Sequence, residues 1–307
     1  MMPEETETVQ QTRAPFPWRD KRIARNNRIR KLKWRIIAFL AVLSVIVVLY
    51  PLLDMLYLFA YKGLTLISLA RLTQTTTGGT GVGNAGLANA IAGSALIIGM
   101  SSLFAVPLGV LSGIYLAEFA GERDRYAGMV RFVSDVLAGV PSIILGYAGF
   151  FVFVLYFGWG FSAVAASLTL AILMLPYILR TTDVALRKVP DSIREGAYAL
   201  GSSKTDMINR LNLRIALPGI VTGILLSISI SVGETAPLLY TASFSNYLPS
   251  ALFHSPVGYL TYVVWTYSQL PFAQANDLAY LAAFLLMLIV VLINLVARVG
   301  MRRFMKI

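Results

Sequence analysis

Two ionisable residues lie in or beside apolar stretches, where a charge is costly and therefore informative. Glu234 is the only charged residue in the apolar stretch 215–240, and Arg180 directly follows the uncharged stretch 136–179. A charge at the centre of a bilayer costs about 2.5–3.5 kcal/mol on insertion scales, so an ionisable residue there faces a cavity or a partner. We therefore expect Glu234 either to line a solute path or to form a structural pair, and to be protonated or paired with a cation from a partner subunit. For Arg180 the alternatives are a side chain that extends to the membrane surface and a gate or ion-pair role.

The rest of the composition excludes most catalytic and metal chemistry. The 307 residues include no cysteine and one histidine, His254, so cysteine or histidine clusters around zinc are excluded. There is no Walker A sequence, no nucleophile accompanied by a histidine, and no pair of carboxylates in a polar setting. The sequence therefore predicts no enzymatic site, no metal, no cofactor and no ATP hydrolysis by this chain alone.

A polar segment, 187–214, has the pattern of a short helix outside the membrane. Asp191 or Ser192 can cap its start, and Ile193, Ala197 and Leu200 recur at helical spacing. Gly201 ends the helix, and Ser202-Ser203 can cap the next one. Such a helix, held between two membrane spans, suits docking into a groove of a partner protein. A plain solvated loop is the alternative.

Several separated motifs resemble those of one family. Glu195-Gly196-Ala197, followed three residues later by Gly201, is similar to the EAA-type motif of ABC importer permeases, although Gly196 replaces an alanine. The stretches 138–146, 179–182, 189–201 and 233–239 resemble the phosphate importer permeases of the PstA type. The resemblance extends from about residue 88 to the C-terminus.

The resemblance implies a type I importer permease fold, MetI-like, for an ABC importer that carries inorganic phosphate. It implies that the helix of the EAA-type motif docks onto an ATP-hydrolysing subunit through Glu195, Gly196, Ala197, Tyr198, Leu200 and Gly201. It also implies a translocation path that includes Glu234, Thr235 and Arg180. The implied partners are a second, homologous permease, two ATP-hydrolysing subunits and an extracytoplasmic phosphate-binding protein.

One departure from the family pattern leaves other substrates as alternatives to phosphate. Related permeases usually carry an arginine four residues before the glutamate of the 233–239 motif, where this chain has Ile230. An arginine in the path would offset the charge of an anion. Another oxyanion, such as sulfate or phosphonate, is therefore an alternative. A secondary transporter driven by an ion gradient is a further one, but it would need inverted repeats, and no repeat is visible.

These residues must be positioned by helices that cross a membrane. Hydrophobic residues make up 57% of the chain and charged residues 13%, against about 25% charged in soluble domains. A spanning helix needs about 20 apolar residues, and lipid requires each span to satisfy its own backbone hydrogen bonds. The sequence predicts an all-α membrane protein with six spans at about 36–60, 88–117, 132–157, 161–180, 215–240 and 278–298. The third and fourth form a hairpin that breaks at Gly158-Trp159-Gly160.

The basic residues predict the orientation of the spans. Cytoplasmic loops carry an excess of lysine and arginine. Of the 26 lysines and arginines, 24 lie in the tail 1–35, in the stretches 118–131 and 180–214, and after residue 297, whereas the other side has only Lys62 and Arg71. The net charge of +11 thus follows topology and does not indicate nucleic-acid binding. We expect a multi-pass protein of the cell membrane with a basic cytoplasmic tail at 1–35 and both termini inside.

Overall fold

A computed structural model describes residues 17–76, 85–121 and 124–304, so part of the predicted basic tail lies outside the described residues. Within these ranges the chain forms helices and no strand. The helices are α1 (Pro17–Leu66), α2 (Leu69–Thr73), α3 (Ala88–Ile114), α4 (Arg125–Gly139), α5 (Ser142–Gly149), α6 (Ala163–Arg187), α7 (Asp191–Ala199), α8 (Lys204–Asp206), α9 (Leu213–Val232), α10 (Ala236–Thr241), α11 (Leu260–Tyr262) and α12 (Ala273–Phe304). Wider π turns continue α3 as Tyr115–Phe119, α5 as Phe150–Tyr156 and α11 as Val263–Tyr267, and Met207–Asn212 joins α8 to α9.

Five helical segments in the described chain are long and apolar enough to cross a membrane. They are Lys33–Leu66, Ala88–Phe119, Ala163–Arg187, Lys204–Val232 and Ala273–Val296. A sixth crossing results if α4 and the α5 segment, which meet at an angle of 106°, are counted as one broken span. The predicted class, an all-α membrane protein with about six spans, is confirmed.

The third predicted span is not one helix. Within 132–157 the chain turns by 106° between Gly139 and Ser142. The ring of Pro141 disfavours helical geometry at the residue before it, and Val140 is extended, with φ −75° and ψ 128°. Pro141 then precedes the first residue of α5. The length of the apolar stretch suggested one continuous helix, whereas the proline divides it.

The fifth predicted span, 215–240, is interrupted as well. The helix begins earlier, at Lys204, and runs to Val232, where Gly233 ends it. Thr235 then occupies the N-cap position of α10 without a side-chain capping hydrogen bond, and Pro237 lies at the start of α10, where a missing backbone N–H costs least. Glu234 therefore lies in a break between two helices.

Residues 1–58 and 59–307 form two separate compact units. In the first, every described side chain of α1 from residue 33 to 58 is exposed, as contact with lipid requires. In the second unit α6 is the central helix, and 72% of the residues in its most apolar 18-residue stretch are buried. Gly109 and Gly113 allow α3 to approach it, because an added Cβ would lie 2.8 Å from Ile178 and 2.5 Å from Thr182.

Candidate functional site

The short helix α7 begins and ends at residues that fix its length. Pro190 precedes it in an extended conformation, and no side chain caps its first turn, so the predicted caps Asp191 and Ser192 are wrong. Asp191 is instead the first helical residue, where its charge is favourable to the helix dipole. At the other end Gly201 adopts φ +79°, a region that glycine enters without cost.

Two hydrogen bonds close this end of α7. Gly201 N–H donates to the Tyr198 carbonyl at 2.9 Å, and Ser202 N–H donates to the Ala197 carbonyl at 3.1 Å. This pair of bonds is the Schellman motif. Ser203 then caps α8 by accepting from Asp206 N–H. The helix predicted in 187–214 is therefore present, and its stop at Gly201 is where the sequence places it.

The two faces of α7 have different surroundings. Ala197 is buried and packs with Met207 and Ile208 of the following π turn. On the other side Glu195 is exposed, Tyr198 is 48% exposed and Leu200 is 89% exposed. Leu200 was expected on the apolar face, but it lies beyond the helix at its C-cap. We call Glu195, Tyr198 and Leu200 the docking surface.

A buried carboxylate connects α7 to the end of α3. The side chain of Glu118 is 1% exposed. Its Oε2 accepts a hydrogen bond from Arg194 Nη1 at 2.8 Å, and its Oε1 accepts one from Asn212 Nδ2 at 2.9 Å. Arg194 also donates through Nη2 to the carbonyl of Leu186 at 3.0 Å. We call Glu118, Arg194 and Asn212 the inner clamp.

Two more arginines hold the same end of α3. Arg187 Nη2 and Arg131 Nη2 donate to the carbonyl of Leu116 at 2.8 Å and 3.2 Å. The last carbonyls of a helix lack partners within the helix, so these bonds satisfy a group that would otherwise be unpaired. They come from α6 and α4, so three helices meet at this carbonyl.

Asp124, the residue before α4, bonds to both neighbouring helices. Its carboxylate accepts from Tyr115 Oη at 2.9 Å and from Tyr126 N–H at 2.9 Å, which caps α4. The hydrogen bond from Tyr115 is the main cause that lowers the pKa of Asp124 below its usual value, so the carboxylate stays charged at neutral pH.

Arg180 forms an ion pair with Asp135. The guanidinium of α6 and the carboxylate of α4 are 2.5 Å apart, and both side chains are largely exposed, at 69% and 60%. The structure thus shows an ion pair of Arg180, whereas a role of this residue as a gate stays a prediction. Neither group is buried by this chain, so both remain open to a solute or a partner.

Glu234 and Thr235 are half-buried at the break between α9 and α10. The carbonyl of Glu234 accepts from Thr261 Oγ1 at 2.9 Å, which ties the break to α11. No ion pair to the Glu234 side chain, and no hydrogen bond between it and Arg180, occurs in the described part of the chain. Gly146 of α5 packs against Pro237, where an added Cβ would lie 2.5 Å from the proline Cα.

Sequence reasoning missed the inner clamp. In the sequence, Glu118 only marks the start of the basic stretch 118–131, and Asn212 has no distinguishing pattern around it. The available signal was a single acidic residue at the end of an apolar helix on the basic side of the membrane. The partner of that residue lies 76 positions away, and a single sequence does not reveal such a pairing.

The chain is similar to known transport proteins. Residues 105–306 match the family described as binding-protein-dependent transport system inner membrane component. The chain is 43% identical over 253 residues to phosphate transport system permease protein PstA 2 of Mycobacterium bovis, over 82% of each chain. It is 40% identical over 274 residues to phosphate transport system permease protein PstA of Yersinia pestis, over 88% of this chain and 90% of that one.

A solved structure supports the same fold. One chain of the inward-facing methionine ABC transporter MetNI matches with a TM-score of 0.58 over 71% of this chain and 97% of that chain, at 20% identity. At that identity the likeness concerns the fold alone, and it confirms the predicted MetI-like permease fold. With the family match and the relatives at 40–43% identity, it follows that this chain belongs to the inner membrane components of binding-protein-dependent transport systems and, among them, to the PstA permeases.

Proposed function

We propose that the chain is a permease subunit of an ABC importer that moves inorganic phosphate across the cell membrane, driven by a separate ATP-hydrolysing subunit. The substrate is supported by the relatives, which are named as phosphate permeases. The observation that carries the coupling to a motor is the docking surface. Leu200, at 89% exposure, is an apolar side chain that the described part of the chain leaves almost uncovered. A groove of a partner protein would bury it together with Tyr198.

The proposed assembly contains four further proteins and the surrounding lipid. A second, homologous permease completes the path, two ATP-hydrolysing subunits bind on the cytoplasmic side, and an extracytoplasmic protein delivers phosphate, with lipid around the spans. In this arrangement α7 of each permease inserts into one ATP-hydrolysing subunit. ATP is hydrolysed there and not on this chain, which has no Walker A sequence.

We assign Arg180, Glu234 and Thr235 to the proposed path of phosphate through the membrane. Arg180 is exposed at the side of α6, and its guanidinium can exchange the Asp135 carboxylate for two phosphate oxygens in the same planar geometry. The carboxylate of Glu234 would repel an anion, so it is protonated or paired with a cation of the second permease while phosphate passes. Because Ile230 supplies no positive charge, Arg180 is the cation of this chain on which the path depends.

The orientation has both termini in the cytoplasm. This proposal follows from the distribution of lysine and arginine, and it places α7 on the side where ATP is available. The chain has no cysteine, so one introduced cysteine is a unique label. Ser192→Cys, in α7, should react with an impermeant maleimide only after the membrane is opened, whereas Tyr247→Cys, at 79% exposure, should react in intact cells. The reverse pattern would contradict the orientation.

Uptake by the whole assembly tests the function. Vesicles with both permeases and the ATP-hydrolysing subunits should take up radioactive phosphate when ATP is inside and the binding protein is outside. Unlabelled sulfate or phosphonate should not compete. Competition by either anion at the same concentration as phosphate would favour the alternative substrate, and uptake without ATP would favour a secondary transporter.

Two substitutions on the docking surface test the coupling. Glu195→Arg and Leu200→Asp should leave the membrane yield unchanged, since both positions are exposed, and should abolish co-purification of the ATP-hydrolysing subunit and uptake. Asn209→Arg, also exposed, is the matched control and should retain both. If the two variants still bind the subunit and transport, α7 is not the docking element.

A further inference from the structure

The inner clamp links elements that are remote in sequence. Glu118 lies at the end of the membrane helix α3, 76 residues before Arg194 and 94 residues before Asn212. Replacing a buried ion pair by apolar residues is often neutral or stabilising, so stability alone does not explain why a charged pair is used here. The directional bond from Arg194 does, however, fix the position of α7 relative to α3, and the bond from Asn212 fixes the π turn before α9.

The side chains of α7 have few other polar attachments. In the described chain, Arg194 is the only residue of α7 whose side chain forms hydrogen bonds to another helix, and it bonds to the ends of both α3 and α6. The remaining attachments are the backbone at Pro190 and Gly201 and two apolar contacts, one of Ala197, in a cluster that Ile114 of α3 also contacts, and one of the half-buried Ile193. Apolar contacts are non-directional, so without the clamp α7 would be able to tilt on them with less movement of α3.

We infer that Glu118 is a positioning residue that transmits movement of α7 to the membrane helix α3. The inference rests on the proposed function, in which the ATP-hydrolysing subunit, called the motor subunit below, moves α7. A displacement of the docking surface also displaces Arg194, which lies on the same helix. The bond from Arg194 to the carboxylate of Glu118 then transmits the displacement to the end of α3. Asn212 bonds the second carboxylate oxygen, so the start of α9 follows the same movement.

A substitution can remove the charge of Glu118 without removing its shape. In Glu118→Gln the amide oxygen can still accept from Arg194. The amide nitrogen would face Asn212 Nδ2, but among the described residues the Oδ1 of Asn212 has no hydrogen-bond partner and can turn to accept. The number of hydrogen bonds is then kept, and only the charge opposite Arg194 is lost.

The test measures coupling in the whole assembly. We expect Glu118→Gln to retain the ATP-hydrolysing subunit on purification but to lower the phosphate taken up per ATP hydrolysed at least five-fold. Asp191→Asn is the matched control, because Asp191 Oδ1 lies 3.9 Å from Arg194 Nε, is 92% exposed and lies outside the docking surface. It should leave the ratio unchanged. An unchanged ratio in Glu118→Gln would overturn the inference.

A double variant separates positioning from stability. Glu118→Leu together with Arg194→Met removes both charges and should restore the yield of a poorly folding single variant, while the coupling ratio stays low. If restored yield brings back the wild-type ratio, Glu118 is only structural and the inference is wrong.

A second measurement does not depend on the substrate. A non-hydrolysable ATP analogue bound to the motor subunits should change amide hydrogen exchange in peptides covering 191–199 and 114–121 of the wild-type assembly. In Glu118→Gln the change should persist in 191–199 and disappear in 114–121. Persistence in both peptides would overturn the inference. Failure of wild-type uptake with the expected exchange pattern would instead contradict the proposed substrate alone.

Discussion

The two ends of the helix that starts at Ala88 are held by different chemistry. At its first turn Asn89 is fully buried and neutral. Its Oδ1 accepts from Thr76 N–H at 2.9 Å, and its Nδ2 donates to Thr76 Oγ1 at 2.8 Å and to the Ser245 carbonyl at 2.7 Å. At the other end Glu118 forms the charged inner clamp. The amide joins two loop segments, whereas the carboxylate joins helices.

The difference indicates what each end must do. A neutral amide satisfies buried backbone groups at little desolvation cost, which suits loops that only have to stay closed. A buried charge costs more to desolvate, and its loss leaves a partner charge unpaired. The costly chemistry occurs at the end that faces α7, where the proposed movement enters the bundle.

Loss of the central side chain at each end should give the largest effects. Glu118→Leu leaves Arg194 without its buried carboxylate and should lower the free energy of unfolding by about 3–5 kcal/mol. Asn89→Leu leaves neutral groups unpaired and should lower it by about 1–3 kcal/mol. Titration with SDS of the purified protein in mild detergent measures both values. Equal losses would remove the distinction between the two ends.

Close backbone packing near the Asn89 end should give a smaller effect. A Cβ at Gly93 would clash with the carbonyl oxygen of Gly258, while a Cβ at Gly99, two turns later, meets nothing within 4 Å. Gly93→Ala should therefore lower the free energy of unfolding by about 1–3 kcal/mol, as overpacking does. Gly99→Ala is the control on the same helix and should stabilise it by up to about 1 kcal/mol. A stable Gly93→Ala protein would show that the loop around Gly258 yields easily.

The smallest effect is expected on α7 itself. Gly196 is exposed, and an added Cβ meets nothing within 4 Å. Gly196→Ala should raise the free energy of unfolding by about 0.5–1 kcal/mol at most, since glycine is unfavourable inside a helix. Thermal unfolding measures this difference. A stable variant that no longer binds the motor subunit would show that the partner contacts the backbone at this position.

The sequence predicted the elements where one local rule applied. Apolar length predicted the number of spans, and Gly201 predicted the end of α7. These features depend on residues within a few positions of one another. The resemblance of several motifs added the family, which the fold and the relatives confirm.

Competing local signals account for the errors. At 132–157 apolar length suggested one helix, but Pro141 produced a bend of 106°. At 215–240 the same reasoning missed the break that Gly233 introduces before Glu234. The inner clamp could not be predicted from the sequence for a different reason. Glu118 and Arg194 become neighbours only after α3, α6 and α7 pack. The roles of Glu234, Thr235 and Arg180 in transport remain predictions.

The π turn at Met207–Asn212 limits which residues can be deleted from the helical segment Lys204–Val232. A π turn holds one residue more than an α turn, and each residue advances the side chains by about 100° around an α-helix. Deleting the exposed Asn209 would remove the extra residue and rotate either Met207 away from Ala197 or Asn212 away from Glu118. This stretch should therefore accept changes of residue type at Asn209 but no one-residue gap.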